Sequence, residues 1–217
     1  LLETETTQLE ASYPTRISSK EQIKYSFGEH SLEFSNITAS DGKESFTLQQ
    51  QQNAETNENK VTYKNVLPGI DLRHVSLNKE VKEDWIINEY QGINEFNYVV
   101  KTDLDAKLER DGSISFYENK DSKEKVFILP SPMMEDSNVN NGLGNGVKSN
   151  QLHYEIETIE TNQYSIKLVV DKEWLESEER VFPVYIDPSV SVDAMGDSFV
   201  SSAYPTTNYN KEWDSGQ

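Results

Sequence analysis

Large apolar or aromatic side chains recur at every second position along most of the chain. Ile23, Tyr25 and Phe27 alternate with Lys24 and Ser26, Leu32 and Phe34 flank Glu33, Val61 and Tyr63 flank Thr62, and Ile70 and Leu72 flank Asp71. Successive side chains of an extended strand point to opposite faces, so each run predicts a half-buried β-strand. The period continues through Val81–Ile87, Phe96–Val100, Leu104–Leu108, Ile114–Phe116 and Val126–Leu129, and returns at Leu152–Ile156, Tyr164–Val170 and Phe182–Ile186. Helical character is confined to Asp171–Glu179, where Asp171 can cap the first turn and Trp174-Leu175 form one apolar patch.

Turn chemistry separates the strands. Asp41-Gly42, between Phe34 and Phe46, and Asp111-Gly112, between Leu108 and Ile114, supply the positive φ of tight hairpins. Gln49–Lys60 lacks any large apolar residue, and Asp136–Asn150 is rich in Asn and Gly; both read as poorly ordered linkers. The pattern changes again after Ile186-Asp187-Pro188. The expected fold is all-β: an antiparallel β-sandwich over residues 1–188, or two smaller sandwiches in line, followed by the beginning of a second β module at 189–217.

The 217 residues carry 38 acidic and 20 basic side chains, a formal charge of -18. That sign disfavours docking on phosphate backbones or anionic lipid. No stretch approaches the roughly 18 apolar residues of a membrane span, so membrane insertion is not expected. Cysteine is absent, which removes disulfides, thiol nucleophiles and cysteine-ligated zinc. The chain opens Leu1-Leu2-Glu3 with no basic and apolar leader, and reads as a piece of a longer polypeptide.

Candidate chemistry is sparse. His30, His74 and His153 sit in separate strand regions without metal-ligand or triad spacing, and the plain expectation is three partly exposed strand residues. Glu83-Asp84 beside Trp85 suggests an acid next to a sugar-stacking ring, but alternation puts Glu83 and Trp85 on one face and Asp84 on the other; a solvated acidic face is the simpler reading. Gly142–Gly146 lacks the Lys-Ser/Thr of a phosphate loop, and no Ser lies in a nucleophile elbow. Tyr and Trp flanked by amides and carboxylates fit a carbohydrate-binding face, although strand cores also use Tyr heavily. No cofactor is expected beyond calcium, for which Asp187, Asp193 and Asp197 are the acidic candidates.

Several strings carry a more specific signal. Val66-Leu67-Pro68-Gly69-Ile70-Asp71-Leu72 followed by Lys82-Glu83-Asp84-Trp85, then Leu129-Pro130-Ser131-Pro132-Met133-Met134-Glu135-Asp136-Ser137, then Trp174-Leu175 with Arg180-Val181-Phe182-Pro183-Val184-Tyr185-Ile186-Asp187-Pro188, resemble in order and spacing the N-terminal region of bacterial wall-associated Rhs/YD-repeat proteins. Asp197-Ser198-Phe199-Val200, running on through Tyr204-Pro205-Thr206 to Tyr209, resembles the opening of the DNRLRE-type β-sandwich that follows there. None is a catalytic signature. Pro68-Gly69 reads as a turn, Pro130 and Pro132 as breaks in strand pairing, and Asp187-Pro188 as a strand end.

The resemblance implies a secreted, wall-associated module of a large contact-dependent toxin of a Gram-positive bacterium, whose toxic activity, often a nuclease, lies elsewhere. Its partners would be wall glycan and the remainder of the YD-repeat protein. The alternatives are a structural prefix or plug on the YD-repeat shell without a ligand, and, third, a wall-polysaccharide hydrolase. The charge argues against diffuse electrostatic attachment to an anionic wall, so any wall contact must be specific or cation-bridged.

Overall fold

The computed structural model describes residues 1–3, 8–48, 52–139 and 146–192. The chain is all-β, and the described residues form two antiparallel sheets and one short helix. In spatial order the smaller sheet contains β1 (Leu2–Glu3), β2 (Glu10–Tyr13), β4 (Ile23–Phe27), β5 (His30–Ser40), β11 (Glu95–Lys101), β18 (Gln163–Val170) and β17 (Leu152–Glu160), with β6 (Ser45–Thr47) beside β5. The larger runs β12 (Asp105–Leu108), β13 (Ile114–Tyr117), β14 (Lys125–Leu129), β20 (Val190–Val192), β10 (Glu80–Ile87), β9 (Ile70–Ser76), β8 (Lys60–Leu67), β7 (Gln52–Asn57), β3 (Arg16–Ile17). A branch adds β19 (Val184–Asp187) beside β10, then β15 (Met133–Glu135) and β16 (Lys148–Ser149).

The inward residues of both sheets form one hydrophobic core, so this is a single sandwich and not two in line. Trp85 of β10 stacks on Phe96 of β11 with ring centroids 4.6 Å apart, Phe27 of β4 meets Phe127 of β14 edge-on, and Tyr13 of β2 lies 5.0 Å from the His74 ring of β9. Such tilted and offset pairs suit the quadrupoles of the rings. No helix among the described residues is long and apolar enough to cross a membrane.

Both Asp-Gly hairpins form: Asp41-Gly42 joins β5 to β6, and Asp111-Gly112 joins β12 to β13, with Gly42 and Gly112 at φ +84° and +86°. Asp171 caps the helix α1 (Lys172–Glu176) by accepting the Trp174 N–H at 2.7 Å. The expected strand at Phe182 starts later, at Val184.

Three expectations are corrected. Gln49–Lys60 is not a linker throughout: β7 pairs with both β8 and β3, because backbone hydrogen bonds hold an edge strand that lacks apolar side chains. Asp136 is not in a solvated loop but fully buried, its carboxylate accepting the N–H of Asn138 and Val147 and the Arg180 guanidinium. The chain also stays in the larger sheet beyond Pro188, since Val190–Val192 pairs with β10 and β14. Asp193, Asp197 and Pro205, with the module expected there, lie outside the described residues.

Pro68-Gly69 forms the two-residue turn between β8 and β9. Gly69 has φ +70°, and a Cβ there would stand 2.7 Å from the backbone oxygen of Glu89. Gly69→Ala therefore meets both a left-handed backbone and a clash, and should lower unfolding free energy by roughly 1–3 kcal/mol, measured by urea denaturation.

Candidate functional site

The motif Lys82-Glu83-Asp84-Trp85 lies in the middle of β10, between β9 on one side and β19 and β20 on the other. Alternation along the strand sends Glu83 and Trp85 inward and Lys82 and Asp84 outward, as the sequence pattern predicts. Neither acid is solvated, however. Glu83 is 5% and Asp84 0% exposed, which overturns the expected acidic face.

On the inner side, Glu83 stands directly across the ladder from His74. One carboxylate oxygen lies 3.0 Å from His74 Nε2, and the other accepts the Tyr98 hydroxyl at 2.8 Å. The Trp85 indole N–H donates in turn to the Tyr98 oxygen. The result is a chain of donors converging on one buried carboxylate, in which each bond polarises the next. Tyr13, Tyr25, Tyr63 and Tyr154 are buried in the same core. Burial, reinforced by the charge of Glu83, pushes the phenols of Tyr25, Tyr98 and Tyr154 well above their ordinary range, so they stay protonated. His74 is fully buried, contrary to the expectation of a partly exposed strand residue, whereas the side chains of His30 and His153 are 25% and 61% exposed.

On the outer side, Asp84 faces Arg73, its cross-strand partner on β9, whose Nε and Nη2 donate to one carboxylate oxygen at 3.0 and 2.7 Å. The other oxygen lies 3.5 Å from Lys82 Nζ, which is also 3.6 Å from Asp187. Asp187 accepts the N–H and hydroxyl of Ser189, while burial pushes its carboxyl above the ordinary value. Burial also raises Glu80, helped by the charge of Asp187. Asp71 differs: burial pushes it up, but hydrogen bonds from Lys64, the Asn65 N–H and Asn88 together outweigh that and hold it below its ordinary value.

The remaining motif residues shape the neighbouring elements. Trp174 lies under the Arg180 guanidinium, 4.1 Å from ring centroid to Cζ, and Arg180 reaches Asp136 at 3.0 Å. The Pro183 carbonyl accepts the Ser137 hydroxyl at 2.6 Å, and Pro188 follows the end of β19. Glu83 and Asp84 face opposite sides of the sheet and share no cleft, so they are not a pair of acids flanking one glycosidic bond.

The aromatic residues proposed for a sugar-binding face are largely internal: Trp85, Tyr13, Tyr25, Tyr63, Tyr98, Tyr154 and Tyr164 are buried. Sequence reasoning passed over Arg73 and read His74 as a partly exposed strand residue. The signal was available in the short turn between β9 and β10, which places Arg73 against Asp84 and His74 against Glu83.

Two consequences are measurable. Glu83→Ala would strand the His74 ring and the Tyr98 hydroxyl in the core and should cost about 3–5 kcal/mol of stability, read by chemical denaturation. Asp187 has a raised carboxyl, so the stability it contributes is present at acid pH and lost as pH rises through its folded value. Asp187→Asn should therefore gain on the unsubstituted chain as pH rises from about 3 to 7. A gain that shrinks over that range in thermal melts would refute the assignment.

No protein-family model matches the sequence, and no solved structure matches the chain. Curated relatives do. The tRNA3(Ser)-specific nuclease WapA of Bacillus spizizenii and the tRNA(Glu)-specific nuclease WapA of Bacillus subtilis subsp. natto are each 35% identical over 98% of this chain. A wall-associated protein of Geobacillus stearothermophilus is 33% identical over 66% of it, a match that covers 56% of that protein. The chain spans about 9% of the length of the two nucleases. Over nearly its full length, then, the chain is similar to one part of the much longer WapA proteins of bacilli.

Proposed function

We propose that the chain is a non-catalytic, wall-associated module of a much larger secreted YD-repeat toxin of a Gram-positive bacterium, with wall glycan as its ligand. The observation that carries this reading is the fate of the motif that the family resemblance rests on. Each charged side chain from Lys82 to Asp84 is paired with a side chain of opposite charge or a hydrogen-bonding ring, Glu83 with His74 and Asp84 with Arg73 and Lys82, and the two acids of the motif point to opposite sides of the sheet. The relatives add a second support. Two WapA proteins named for different tRNAs match this chain at the same 35% identity. What they share with it is therefore independent of the nuclease specificity, as a common carrier module would be. The name of the Geobacillus relative supports the wall location.

Burial of Tyr13, Tyr25, Tyr63, Tyr98, Tyr154 and Tyr164 favours the second reading, a prefix that packs on the YD-repeat shell without a ligand, because glycan binding would have to proceed without these rings. The two readings separate in one experiment. The purified chain should sediment with peptidoglycan sacculi bearing teichoic acid more than an inert protein of equal negative charge does, at 0.15 M salt, and should release no reducing ends. Sedimentation no greater than the control would refute glycan binding; capture by separately expressed YD repeats would then establish the prefix role. A rise in reducing ends would overturn both in favour of a hydrolase.

A further inference from the structure

Three chain segments from different parts of the sandwich meet at His30. The residue opens β5 after the turn at Gly28, Asp103 lies between β11 and β12, and Glu118 follows β13. The two ring nitrogens face different carboxylates: Nδ1 is 2.6 Å from Asp103 Oδ2, and Nε2 is 3.6 Å from Glu118 Oε1. An ionised carboxylate can only accept, so Nδ1 carries the proton and donates to Asp103. In the neutral ring this leaves the Nε2 lone pair facing Glu118.

The second distance is informative. At 3.6 Å, Nε2 and Oε1 are too far apart for a hydrogen bond. Two ligand atoms each about 2.0–2.1 Å from one zinc ion at a tetrahedral angle lie about 3.3 Å apart, so a small rotation of the Glu118 side chain closes the difference. That side chain is 63% exposed and free to make the movement, and water can reach the remaining coordination positions. Asp103 behind the ring supplies the orienting hydrogen bond that metal-binding histidines characteristically have.

We propose that His30 Nε2 and Glu118 form a two-ligand site for a divalent transition-metal ion of the zinc type, with Asp103 as the positioning residue. Among the described residues no three His, Cys, Asp or Glu side chains converge to hold an ion, so water completes the coordination. The imidazole selects zinc-like ions over calcium, which takes oxygen ligands. An ion there would tie the β4–β5 hairpin of the smaller sheet to the end of β13 in the larger. His153 makes a superficially similar pair, 3.8 Å from Glu155, but its ring is 61% exposed and no second carboxylate pairs with it among the described residues.

The test is calorimetric titration of the 217-residue chain with zinc chloride in metal-free buffer at pH 7.5. One zinc per chain is expected, lost in His30→Gln and in Glu118→Gln and retained in His153→Gln. Asp103→Asn keeps both ligands and should weaken binding roughly 10- to 100-fold. Zinc should raise the melting temperature of the unsubstituted chain and leave that of His30→Gln unmoved. Millimolar calcium should not displace the zinc. Absence of zinc binding, binding that survives Glu118→Gln, or displacement by calcium would each overturn the proposal. Glu118→Gln alters an exposed side chain, so it decides the matter even if His30→Gln fails to fold.

Discussion

A carboxylate in the centre of an apolar core is the constraint around which this sandwich is organised. Glu83 lies between two sheets of aromatic and aliphatic side chains, where an ionised group is tolerated only if its lone pairs are met. His74 meets it from the neighbouring strand and Tyr98 from the opposite sheet. The carboxylate thus specifies two relationships together: the pairing of β10 with β9 within the larger sheet, and the packing of β10 on β11 across the core. A slip of β10 by one residue would turn Lys82 and Asp84 inward, taking Asp84 away from Arg73 and Glu83 away from His74 and Tyr98. Buried charge here acts less as a source of stability than as a penalty on every other register.

The same logic explains how a chain with a formal charge of -18 forms a closed core. The acids that face away from solvent are matched individually: Asp84 by Arg73, Asp136 by Arg180, Asp71 by Lys64. Arg180 also lies over Trp174, so one guanidinium joins the helix, the segment before β19 and the loop after β15. Arginine suits such a place because its planar group can stack and donate to a carboxylate together. The excess negative charge is left to the surface, where water screens it.

Strand positions were legible from sequence wherever one face is apolar, as at Ile23–Phe27 or Tyr164–Val170, because burial imposes the period of two that the pattern records. Strands held by backbone bonds alone carry no such record. β7, with Ala54 as its largest apolar residue, reads as a linker and is nonetheless an edge strand. The inward and outward sides of Glu83 and Asp84 followed from alternation, but their burial did not. Solvation depends on which side chains lie opposite, and that depends on pairing between segments. His74 was misjudged for the same reason, since nothing in its own neighbours announces that Tyr13 and Tyr63 close over it.

The position of β20 has a consequence for the order of assembly. These three residues lie between β14 and β10, and among the described residues β12, β13 and β14 join the larger sheet only through them. A chain that emerges N-terminus first can form the β7–β10 ladder early. The block from Asp105 to Leu129 then has no edge neighbour in the larger sheet until Val190–Val192 has been made and pairs with both β14 and β10. Such long-range closure is intrinsically slow. A truncation just short of residue 190 would thus affect more than the end of the chain, because it would also leave a three-stranded piece specified more than 60 residues earlier held by core packing without its pairing to the larger sheet.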